Sequence, residues 1–106
     1  ADKAVSVGEN SKVNMQNLNI FKSFLGIVSK DGSIVSAKNI KNKDVLIPFA
    51  SYKKKEEYNG PILKLSNVIN DYYQTLYYKD KYSKIIIDNI VQNKITKDIY
   101  NKIYSN

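Results

Sequence analysis

One pattern of apolar and polar positions recurs four times along the chain. Its anchor is an asparagine followed by a branched apolar residue: Asn17-Leu18, Asn39-Ile40, Asn67-Val68 and Asn89-Ile90, at spacings of 22, 28 and 22 residues. Two residues before each asparagine stands Met15, Ala37, Leu65 or Ile87, and four before it Val13, Val35, Leu63 or Ile85. The positions between, Asn14, Ser36, Lys64 and Ile86 and then Gln16, Lys38, Ser66 and Asp88, are mostly polar. Alternation of period two with one apolar face marks a half-buried strand. A second apolar column, Val5, Ile27, Phe49 and Tyr77, has spacings of 22, 22 and 28. The long interval, 28 against 22, comes last here and second in the asparagine column, which places an insertion of six residues between Phe49 and Asn67.

Antiparallel hairpins reverse direction at every strand, so they do not stack equivalent positions of successive units. A parallel stack does, with rungs about 4.8 Å apart. The pattern therefore predicts an all-β chain: a right-handed parallel β-helix, or solenoid, of about four coils over residues 1–90. The asparagines suit sharp corners, because Asn tolerates a left-handed backbone, and their stacked amides can form a ladder between rungs. Ser11, Ser33 and Ser83, six residues before three of them, suggest a hydroxyl column at another corner.

After Ile90 the period changes. Val91, Ile95, Ile99 and Ile103 lie four apart, joined by Tyr100 and Tyr104. That spacing predicts an amphipathic helix over 92–105, within a C-terminal unit of residues 91–106 that caps the last coil. A membrane-surface helix is the rival reading, disfavoured by the mixed charge of its polar face. Nothing comparable precedes the first rung, so the expected partners include N-terminal coils of the same parent protein. Self-association through the open N-terminal coil is a second expectation.

The 106 residues make at most one domain, and all 17 positive side chains are lysines, giving a formal net charge of +7. Such a balance suits nucleic acid, anionic lipid or an acidic polysaccharide. Nucleic acid is disfavoured: arginine, the bidentate reader of bases and phosphates, is absent, and the lysines are scattered apart from Lys53-Lys54-Lys55. The absence of cysteine and histidine removes disulfides, thiolate metal sites and the commonest general base. No apolar run approaches the roughly 20 residues of a membrane-spanning helix. No cofactor, metal site or catalytic constellation is expected.

The insertion is the best local candidate for function, since loops that lengthen on one face of a solenoid often form its binding surface. It makes Tyr52, Lys53, Lys54, Lys55, Glu56, Glu57 and Tyr58 the candidate ligand-binding residues. Their lysines can meet a carboxylated sugar. Glu9 and Asp31 occupy the same corner in the two preceding coils, with Asp80 close by, a grouping suited to a weak cation or a sugar hydroxyl. Tyrosines at 72, 73, 77, 78 and 82 crowd the last coil; the period points Tyr77 inward and leaves the others as rim or packing residues.

The stretches Ser6-Val7-Gly8-Glu9-Asn10-Ser11, Gly26-Ile27-Val28-Ser29-Lys30-Asp31-Gly32-Ser33 and Phe49-Ala50-Ser51-Tyr52-Lys53-Lys54-Lys55 resemble bacterial right-handed β-helix repeat proteins. The flavour of the repeat is similar to C-terminal portions of large proteins that also carry CotH-type, kinase-like domains. The resemblance covers about residues 3 to 90 and implies a non-catalytic, carbohydrate-directed accessory module, extracellular or on the cell surface. It carries no kinase-like activity to this chain, which has no counterpart of that part. The alternative is the C-terminal part of a polysaccharide lyase, hydrolase or epimerase. Against it, no two acids face each other on neighbouring outward positions as glycoside hydrolysis requires, and a lysine base at Lys38 or Lys64 has nothing in the sequence to bury it.

Overall fold

The computed structural model describes residues 2–104. Seven strands form one sheet: β1 (Lys3–Val7), β2 (Lys12–Lys30), β3 (Ile34–Tyr52), β4 (Ile62–Asp71), β5 (Tyr77–Lys79), β6 (Lys84–Ile87) and β7 (Ile90–Gln92), followed by the helix α1 (Ile99–Tyr104). Their order is β1-β2-β3-β4-β6-β7, with β5 paired to β3. Every pairing is parallel except that of β6 with β7. The chain is all-β apart from its short helix.

The registers are those of the repeat. Val13 pairs with Val35, Val35 with Leu63 and Leu63 with Ile85. Val5 pairs with Ile27, Ile27 with Phe49 and Phe49 with Tyr77. The offsets of 22 and 28 residues hold across each parallel pairing, and the insertion falls between β3 and β4. Both long strands bend without leaving the sheet. Asn17 and Lys22 in β2, and Asn39 and Asp44 in β3, have φ values of 59°, 48°, 58° and 56°. Asn67 and Tyr72 continue the two columns at 53° and 66°. Asparagine bears that conformation at low cost; lysine and tyrosine do not, so the second corner column carries no residue signature.

The asparagine ladder is present for three rungs. The Asn39 amide donates to Asn17 Oδ1 at 3.1 Å, and the Asn67 amide donates to Asn39 Oδ1 at 2.7 Å. The fourth position departs from the column. Asp88 and Asn89, with φ of 49° and 65°, form the two-residue turn between β6 and β7, where Ile87 pairs with Ile90. Two positive φ values in a two-residue hairpin loop are the type I′ arrangement, for which Asp and Asn are well suited. A second amide pair lies deeper: Asn42, 2% exposed, donates to Asn70 Oδ1 at 2.8 Å. The serine positions stack in register, with Pro61 in the third place, but their hydroxyls bond elsewhere. Ser11 donates to the Gly8 carbonyl, Ser33 bonds Ser29 and the Val7 carbonyl, and Ser83 donates to Asp80.

The buried apolar residues fall into two clusters, which part Leu25 from Ile27 and Ile47 from Phe49 although each pair is two residues apart. Ile27, Val35, Ile40, Phe49, Leu63, Leu65 and Ile85 belong to the interior. Their neighbours Val28 and Ala50 face outward, where Leu25, Ile47 and Tyr52 join Ile99 and Ile103 of α1 in the second cluster. On the first rung Val5, Val7, Val13, Met15 and Leu18 are only half-buried, whereas Ile27, Val35 and Ile40 one rung below are fully buried.

The C-terminal segment differs from its expected helix over 92–105. Residues 90–92 are strand β7 along the free edge of β6. The Lys94 amide donates to the Tyr77 hydroxyl, the Thr96 amide to the Lys79 carbonyl, and the Lys79 amide to Thr96 Oγ1. These bonds hold the chain extended along β5, because a strand edge needs partners for its backbone groups and a helix would supply none. Helix begins only at Ile99, after Asp98 turns the chain with φ of 56°. Ile99 and Ile103, one turn apart, then pack on the outer faces of β2 and β3 instead of lying across the last rung. Ser105 and Asn106 lie outside the described residues.

Asn39, in the middle of the ladder, both donates and accepts and holds a left-handed corner. Asn39→Ala is expected to lower stability by about 1–3 kcal/mol, from lost amide bonds plus left-handed strain. Asn17→Ala, at the ladder's end, should cost less. Urea unfolding midpoints of the two variants check the order.

Candidate functional site

The inserted loop leaves the sheet after β3 and returns at β4, and two aspartates fix its path. Asp31, 3% exposed, accepts the Lys54 and Lys55 amides on Oδ1 at 2.6 and 2.9 Å. Asp80 accepts the Lys53 amide on Oδ2 at 2.7 Å, while its Oδ1 takes the Tyr82 amide and the Ser83 hydroxyl. Each carboxylate thus accepts backbone N–H groups that the sheet no longer satisfies, an assignment that stabilises both sides of the contact. At the far end Gly60 passes so close to the Tyr82 carbonyl that a Cβ would overlap it.

That role alters the expected acidic grouping. Glu9, Asp31 and Asp80 do not converge on one point; among the described residues no three acids gather as metal ligands would. Glu9 instead pairs with the Lys55 ammonium, and both groups are about half exposed. This hydrogen bond and charge contact raise the Lys55 pKa above its ordinary value. Salt screens such an open pair. A shallow hollow of about 320 Å³ lies between Gly8, Glu9, Lys30, Asp31, Lys54 and Lys55.

The candidate residues divide into two groups. Tyr52 is fully buried, so it supports the loop from below and is not open to a ligand. Its hydroxyl lies 2.7 Å from that of Tyr104, and its ring meets Tyr100 and Tyr104 edge-on at centroid distances of 6.4 and 6.1 Å. Tyr58 is half-buried, its amide bonded to the Lys55 carbonyl. Lys54, Lys55, Glu56 and Glu57 are exposed, and Lys53 is half-buried.

The lysines meet aromatic residues from elsewhere in the chain. Lys53 Nζ stands 4.2 Å from the Tyr82 ring centroid, with Lys81 at 5.2 Å from the same ring. Lys54 and Lys3 approach the Tyr104 ring at 4.9 and 5.0 Å. Tyr100 stacks on Tyr104 with an interplanar angle of 21°, and its hydroxyl donates to the Lys53 carbonyl. Tyr82, Tyr100 and Tyr104 remain 52%, 44% and 42% exposed, so the face presents aromatic surface and ammonium groups together. Sequence reasoning left Lys3, Lys81, Tyr100 and Tyr104 outside the site. Only the aromatic excess hinted at them, because α1 reaches the loop through tertiary packing alone.

Burial lifts the Tyr52 phenol far above its ordinary value, with the Tyr104 hydrogen bond and neighbouring negative groups adding to it. Burial also raises Tyr100, and the carboxylates of Asp80 and Asp31 push the same way. On the outward face of the strands, Lys38 and Lys64 are exposed beside Asn14, Gln16, Ser36 and Ser66, with no carboxylate lining the groove between them.

Asp31→Ala is expected to lower stability by about 1–3 kcal/mol and to speed hydrogen exchange of the Lys54 and Lys55 amides. Asp31→Asn, which retains a carbonyl acceptor, should do less; urea unfolding and amide exchange give both readouts. Above about pH 10 the unfolded chain loses tyrosine protons that folded Tyr52 retains, so stability falls as pH rises. Below that pH the contribution is fully present. Tyr52→Phe is expected to flatten this alkaline decline, measured as the unfolding midpoint from pH 8 to 11.

No family model, curated protein or solved structure matches the chain.

Proposed function

We propose that this chain is a non-catalytic structural and binding segment of a right-handed parallel β-helix, part of a larger surface-associated bacterial protein and directed to acidic polysaccharide. The parallel pairings at constant offsets, with left-handed corners one repeat apart, support the coil reading. The resemblance to β-helix portions of CotH-associated proteins supports the setting. The half-buried apolar residues of the first rung support self-association there.

One observation carries the binding reading: lysines of the inserted loop standing over tyrosine rings that remain partly exposed. A carboxylated sugar offers an apolar ring face to the tyrosines and an anion to the ammonium groups. The loop backbone is held by Asp31 and Asp80, so little ordering opposes binding. The polysaccharide-enzyme alternative draws no comparable support from the residues on the outward face.

Binding to an array of acidic and neutral glycans is the direct test. The chain is expected to retain acidic glycans, with affinity falling as salt rises. Lys53→Ala/Lys54→Ala/Lys55→Ala should weaken that binding about tenfold or more. Failure of the folded chain to bind any acidic glycan, or unchanged binding by the triple variant, would remove the loop from the function.

A further inference from the structure

A further cleft lies beside β5. The extended segment before α1 runs beside β5 and leaves a cleft of about 470 Å³, within the rough 300–1,000 Å³ span of small-ligand sites. Leu76, Tyr77, Tyr78 and Ile95 form its apolar floor. The first three are half-buried and Ile95 is 52% exposed, an apolar surface left partly uncovered. Lys94, Lys97 and Lys102 stand around it, and no carboxylate lines it. Lys102 Nζ lies 5.7 Å from the Tyr78 ring centroid. Lys94 and Lys97 make no side-chain ion pair among the described residues. Thr75 and Thr96 add hydroxyls, and Thr96 Oγ1, though it accepts the Lys79 amide, keeps its own proton to donate.

The cleft is also well fixed. The Lys94 amide bonds the Tyr77 hydroxyl at 2.9 Å, and the Thr96 amide bonds the Lys79 carbonyl at 2.8 Å, so its two walls are tied together on either side of Ile95. A site fixed before binding loses less ordering entropy on association.

We infer that this cleft binds a hexuronate unit, a carboxylate-bearing and hydroxylated sugar ring. The C–H face of the ring lies on Tyr78 and Ile95, the carboxylate meets Lys94 and Lys97, and ring hydroxyls meet the threonines. A plain aliphatic carboxylate leaves the hydroxyls without partners, and a neutral sugar leaves Lys94 and Lys97 without an anion. The assignment stands on this cleft alone and not on the Lys53–Lys55 loop.

The test is titration of the ¹⁵N-labelled chain with trigalacturonate, maltotriose and benzoate, followed by amide shifts. Trigalacturonate is expected to move the Tyr77, Tyr78, Thr96 and Lys97 resonances. Maltotriose and benzoate should bind at least about tenfold more weakly. Lys94→Gln/Lys97→Gln is expected to weaken trigalacturonate about tenfold or more at these resonances while leaving the rest of the spectrum folded. The triple loop variant should leave them responsive, which separates this site from the loop. Shifts confined to residues 53–58, equal binding of maltotriose or benzoate, or an unchanged double variant would each overturn the assignment.

Discussion

In a stack of parallel strands equivalent residues of successive repeats must come to lie side by side, so the bends matter as much as the strands. Here the constraint is met by residues with left-handed backbone placed one repeat apart, at Asn17, Asn39 and Asn67 and again at Lys22, Asp44 and Tyr72. The first column combines a low-strain conformation with amide bonds from rung to rung. Those bonds run in the same direction as the backbone ladder and oppose slippage of one rung against the next. A shift by one residue would also turn Val35, Leu63 and Ile85 out of the interior. Register, corner and core therefore reinforce one another.

The inserted loop is the place where that regularity is broken and then repaired. Six extra residues leave amides without sheet partners, and Asp31 and Asp80 accept them. Acids at a corner beside a lysine run read, in one dimension, as a cation or sugar site. In three dimensions Asp31 and Asp80 are scaffolding, and the surface chemistry passes to ammonium groups and tyrosine rings. The same loop is braced from beneath by Tyr52, whose burial against Tyr100 and Tyr104 couples it to α1.

The C-terminal segment resolves a competition between two ways of satisfying its backbone. Its isoleucines recur at helical spacing, but β6 and β5 present edges that need hydrogen-bond partners. The edges prevail through residue 96, by β7 and by the Thr96 contacts, and the helix keeps only its last turns. Ile99 and Ile103 do bury together as their spacing implies, on a different surface from the one expected. This outcome also creates the cleft between β5 and the extended segment.

The sequence by itself determined the strands of the repeat, their parallel register, the place of the insertion and three rungs of the asparagine ladder, because each depends on residues repeating at a fixed interval. It also marked the loop and its lysines. Only the tertiary structure decided the second corner column, since Lys22, Asp44 and Tyr72 share a backbone conformation and no chemistry. The turn at Asp88-Asn89 was likewise hidden, because an asparagine serves a left-handed bend between parallel strands and a type I′ hairpin equally well. The burial of Tyr52, the scaffolding role of Asp31 and the meeting of Lys3, Lys54 and Tyr104 depend on contacts between segments far apart in the chain. No local spacing encodes such contacts; they exist because the residues beyond the edge-paired segment fold back across the outer face of β2 and β3.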